Sequence, residues 1–111
     1  MKFVNPKSVS VSEVTARISR ATSDQEIIDV VLSAIYHCDT QFAGDALFEA
    51  YQKISGPNRL YLGNITCTFL EMHSTTYKVD DFIEEMKKPG PDPTMMTKNI
   101  AEATEFKEMF A

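Results

Sequence analysis

The chain has 111 residues, 43% of them hydrophobic and 24% charged, with a net charge of −5. A chain of this length buries roughly 65% of its unfolded surface, enough for one domain with its own core and no help from disulfides or metal, and the composition excludes global disorder. An acidic protein is repelled by phosphate backbones, so direct nucleic-acid binding is not expected.

The chain opens Met1-Lys2-Phe3-Val4-Asn5-Pro6 with no apolar run that would serve as a signal peptide or a spanning helix. No membrane involvement is expected, and the expected location is cytoplasmic. There, Cys38 and Cys67 should be reduced and buried. Residues 1–22, with Lys2, Lys7, Arg17 and Arg20, carry +3; residues 23–56 carry −5, residues 57–79 carry +1 and residues 80–111 carry −4. The basic first block reads as a solvated end that offsets the acidic middle.

Helices are predicted over most of the chain. Ser10 and Glu13 have capping-box spacing, and Val11, Val14 and Ile18 follow on one helical face. Ser23 and Glu26 repeat the signal. The next segment carries a broad apolar face of Ile27, Ile28, Val31, Leu32, Ala34, Ile35 and Cys38, as expected of a central helix packed by several neighbours. Asp39 or Thr40 ends it and starts another, in which Phe42, Ala43, Ala46, Leu47, Ala50, Tyr51 and Ile54 keep a 3-4 rhythm. One or two residues separate the pair, so a tight hairpin is expected. Ser55-Gly56-Pro57 closes it.

Residues 58–79 read two ways. Tyr61, Leu62, Ile65, Phe69 and Met72 suit a helix that Pro57 is placed to start. "ITCTF" alternates like a strand, and "LGN" would suit a hairpin turn. Helix is favoured because its surroundings are helical. Ser74-Thr75-Thr76 breaks it. Asp80-Asp81 opens a short helix with Phe82, Ile83 and Met86 inside and Lys87-Lys88 at its end. Pro89, Pro91 and Pro93 then impose an extended connector. Asp92 can cap a last helix with Pro93 at its first position, and Met96, Ile100, Ala103, Phe106 and Phe110 form a single stripe along it.

No pattern in the chain carries catalytic chemistry. His37-Cys38 and Cys67 with His73 lack the close ligand pairs of a zinc site. Asp80-Asp81 and Glu84-Glu85 read as a solvated, dipole-complementing face rather than an acid/base pair. "GPNRLYLGN" lacks the Lys-Ser/Thr of a phosphate loop. No enzyme activity, cofactor or metal is expected.

The expected fold is all-α: a compact bundle of four to five helices over residues 1–88, a Pro-rich connector at 89–93, and a C-terminal helix over 94–111 that packs in the same domain or docks as an arm. The expected function is non-catalytic protein binding, as a small acidic helical inhibitor or adaptor that occupies a partner's surface. Methionine and phenylalanine are enriched at the end of the chain, a composition common on binding surfaces. The candidate partner-binding residues are Met96, Ile100, Phe106, Met109 and Phe110 on the last helix. Asp45, Glu49, Glu84 and Glu85, on the acidic stretches 24–49 and 80–108, join them against a partner with a basic surface. The alternative is a structural subunit or assembly factor that homo-oligomerises through its last helix.

Overall fold

The computed structural model describes residues 11–88 and 96–110, and within them the chain forms six α-helices and no strand. The helices are α1 (Val11–Arg20), α2 (Asp24–His37), α3 (Thr40–Lys53), α4 (Arg59–His73), α5 (Val79–Lys87) and α6 (Thr97–Phe110). The capping box at Ser10, the connector at 89–93 and the Asp92–Pro93 start of the last helix lie outside the described residues. The radius of gyration, 13.1 Å, is that of a folded domain of about 100 residues.

Side chains start the second and third helices where the sequence places them. Ser23 Oγ accepts from the Glu26 amide at 3.3 Å. The Glu26 carboxylate reaches one residue further back than in a standard capping box, accepting from the Thr22 amide and hydroxyl at 3.3 and 3.1 Å. Asp39 Oδ1 accepts from the Phe42 amide at 2.8 Å and caps α3. Cys38 and Asp39 alone separate α2 from α3, so the two fold back on each other. As its wide apolar face implies, α2 is central, in contact with α1, α3 and α4.

After α3, Gly56 takes φ +74°, a left-handed conformation that suits glycine. Pro57 then sits in a single 3-10 turn, Gly56–Asn58, that leads into α4. Residues 59–73 are helical, not a hairpin. Their threonines are accommodated by bonding back along the helix: Thr66 Oγ1 donates to the Leu62 carbonyl at 2.7 Å, and Thr68 Oγ1 to that of Asn64 at 3.2 Å. Ser74 ends α4 in the left-handed region at φ 48°. The amides of Thr75 and Ser74 bond the carbonyls of Leu70 and Glu71, a Schellman closure with serine in the usual place of glycine.

Tyr51, Phe69 and Phe82 form the aromatic centre of the core, and all three are buried. The Phe82 ring lies 6.0 Å from Tyr51 and 6.1 Å, edge-on, from Phe69. The Thr66 proton is committed to Leu62, so the Tyr51 hydroxyl donates to Thr66 Oγ1, at 2.7 Å. A buried phenol is thereby satisfied, and burial pushes its pKa up. Among the described residues no helix is long and apolar enough to cross a membrane.

Candidate interaction surface

The last helix packs in cis, against α4 and α5. It comes close at Gly63, where an added Cβ would lie 2.6 Å from Asn99 Nδ2 and 2.7 Å from the Met96 sulfur. Cys67 Sγ donates to the Asn99 carbonyl at 3.7 Å. Further on, Glu71 shares a cleft with Glu102, Glu105, Phe106 and Met109. These contacts advance together along both helices, so α6 runs in the same direction as α4. On the other side of α6, Lys107 pairs with Asp80 of α5.

The apolar stripe of α6 therefore divides. Met96 and Ala103 are buried, and Ile100 and Phe106 are partly covered. Beyond them, among the described residues, the last turn of α6 is the least covered part of the helix. Met109 is 70% exposed and Phe110 50%. The Phe110 ring stacks on Phe106 at 4.5 Å. In the last turn of α4, Met72 is 46% exposed beside Glu71. Of the five residues singled out at the end of the chain, Met109 and Phe110 are thus the exposed ones. Met96 is a packing residue, because the narrow space left by Gly63 takes its thioether.

Three of the four acids singled out are already engaged. Asp45 accepts from the Tyr77 hydroxyl at 2.7 Å and lies 3.9 Å from Lys78 Nζ. Glu84 is exposed, 3.8 Å from Lys87. Glu49 is half-buried on α3. Glu85 corrects the expectation of a solvated acidic face: it is only 4% exposed. Its carboxylate accepts from Arg59 at 3.0 Å, Gln52 at 2.6 Å and Lys88 at 2.9 Å. Burial alone would raise this carboxyl, but the hydrogen bonds from Lys88, Gln52 and Arg59 outweigh it and hold the pKa below the usual carboxylate value.

Sequence reasoning passed over Glu71, Glu102 and Glu105. Glu102 and Glu105 were legible as residues beside the stripe. Glu71 was not, because only the docking of α6 along α4 brings it to them. The resulting cleft has a volume of about 120 Å³, room for one apolar side chain. No lysine or arginine among the described residues forms an ion pair with any of the three. The thiol of Cys67, on the same seam, is pushed up to about 12, first by burial and then by the carboxylates of Glu102 and Glu71.

The cysteines and histidines are apart in role. Cys38 and Cys67 are not disulfide-bonded, and they are partly rather than fully buried. His73 bridges α4 to the α2–α3 hairpin. Its Nε2 donates to the Ile35 carbonyl at 2.7 Å, and its Nδ1 therefore accepts from Thr40 Oγ1 at 2.9 Å. Among the described residues no three His, Cys, Asp or Glu side chains are placed to hold a metal ion. No family model, curated protein or solved structure matches the chain.

Proposed function

We propose that the chain is a non-catalytic protein-binding protein, a small helical inhibitor or adaptor that occupies a partner's surface with the C-terminal end of α6. The observation that carries this reading is the emergence of the α6 stripe from the domain: Ala103 is fully buried, whereas Met109 and Phe110, two turns on, stand largely exposed. Large side chains of this kind, flexible or aromatic and rimmed by charge, are the usual anchors of protein interfaces.

The test is capture on the immobilised chain, comparing wild type, the double variant Met109→Ala/Phe110→Ala, and a control pair on exposed α1, Thr15→Ala/Ser19→Ala. A partner retained by wild type and control should be lost from the double variant, by thirtyfold or more in affinity, since truncating an interface anchor costs about 2 kcal/mol. Equal retention by all three chains, or by none, overturns the assignment.

A further inference from the structure

We propose that the cleft between α4 and α6 takes a basic amphipathic segment of another protein, one apolar side chain entering beside Phe106 and Met109 while flanking lysines or arginines meet Glu71, Glu102 and Glu105. This rests on the binding reading above and supplies the chemistry of the partner.

The argument is one of charge complementarity around an apolar cleft. Elsewhere the acids are largely answered within the chain. Glu13 pairs with Arg17, Asp45 with Lys78, Asp80 with Lys107, Glu84 with Lys87, and Glu85 with Arg59 and Lys88. Asp39 caps a helix, and Asp24 accepts from Asn58 at 2.9 Å. Among the described residues Glu71, Glu102 and Glu105 have no such cation, and they converge on the cleft that Phe106 and Met109 line. Glu102 and Glu105 are neighbours on one helix face, where like charges repel. Glu71 adds a third from across the seam. The Cys67 thiol, raised first by burial, is raised further by Glu102 and Glu71. Lys98, one turn before Glu102, forms no ion pair with it.

A cationic segment relieves this repulsion as it docks, and the apolar floor raises the strength of each pair by excluding water. A second copy of the chain is a poor occupant, because a two-fold contact through this patch sets each acidic rim against its own image.

The experiment uses the full chain carrying 13C-methyl methionine, titrated with three synthetic helical peptides: leucine–lysine, leucine–glutamine and leucine–glutamate. Met109 reports on the cleft, and buried Met86 is the internal control. The leucine–lysine peptide should shift the Met109 methyl and leave Met86 in place, with an affinity that weakens as salt is added. Glu102→Lys/Glu105→Lys should cut that affinity at least tenfold, and Glu102→Gln/Glu105→Gln by less. Both variants change only exposed positions and should keep the wild-type helical circular dichroism. If leucine–glutamine binds as tightly, or if charge reversal changes nothing, the basic-partner inference fails while the binding surface itself stands. If no peptide moves Met109, the inference also fails, and capture decides the wider reading alone. A Met109 shift that grows with protein concentration and no peptide would make a second copy the occupant and overturn the proposal.

Discussion

Arg59 shows how much one side chain can join. Its guanidinium donates from Nη1 to the carbonyls of Tyr51 and Ile54 at 2.7 and 3.0 Å, and from Nη2 to the Glu85 carbonyl and carboxylate, each at 3.0 Å. The three carbonyls belong to the C-terminal ends of α3 and α5, where backbone acceptors are short of helical partners, so Arg59 caps two helices from the start of a third. Its face also lies over the Tyr51 ring, 5.2 Å from the centroid. Arg59→Ala would leave buried Glu85 with only Lys88 and Gln52 and would uncap both helix ends, and urea unfolding should show a loss of about 3 kcal/mol, the lower end for a broken buried pair. The pH dependence follows from the sign of the Glu85 shift. Its folded pKa is depressed below the ordinary 4.5, so its contribution is complete above pH 4.5 and fades as pH falls through the folded value. Glu85→Gln should be less stable than wild type at pH 7, and the gap should narrow below pH 4.5. Parallel urea midpoints across that range would refute the linkage. Little of this was legible from the sequence, because Gln52 and Glu85 lie 33 positions apart and Arg59 and Glu85 lie 26 apart. A carboxylate in a short acidic helix looks solvated until its tertiary partners are known.

At the scale of the element, α6 is held by a thin seam. Only Asn99 and Ala103 are buried within the helix itself, with Met96 just before it. Gly63 permits that seam by letting α4 approach closely. Gly63→Val should therefore force Asn99 and Met96 outward, at a cost of about 1–3 kcal/mol to the docking of α6. Hydrogen exchange is the direct measurement. Amides of α6 should exchange faster in the variant while those of α2, deep in the bundle, keep wild-type protection; unchanged α6 exchange would show that the seam adapts. The helices themselves were largely legible in the sequence. Ser23, Asp39 and Pro57 punctuate the chain as their chemistry requires, and the 3-4 rhythm of α2 and α3 places their buried faces. In α4, "ITCTF" left strand and helix open because β-branched residues favour either when buried. The answer came from a tertiary setting in which Thr66 meets both its own helix and Tyr51. The stripe on α6 was legible as a stripe, but an apolar face does not state what covers it. Most of it, from Met96 to Phe106, is answered within the bundle, and Phe110 at its end stands half exposed.

For the whole molecule, the same end of α6 decides between association with itself and association with something else. A stable interface needs about 800 Å² from each partner. Among the described residues the exposed large hydrophobics are only Tyr36, Met72, Met109 and Phe110. A dimer through α6 must therefore also enclose the surrounding acids, Glu71, Glu102 and Glu105, against their own copies. At low ionic strength that repulsion acts over a Debye length of about 30 Å at 0.01 M, and it contracts to about 3 Å at 1 M. Light scattering on the full chain should accordingly give the monomer mass at low salt over a wide concentration range. Any self-association should appear only when salt screens the rim, and Met109→Ala/Phe110→Ala should remove it. A dimer that is tighter at low salt than at high would reverse the argument. It would mean that opposite charges meet across the contact, and the α6 end would then be a site of self-assembly, with the acidic cleft satisfied by a second copy of the chain.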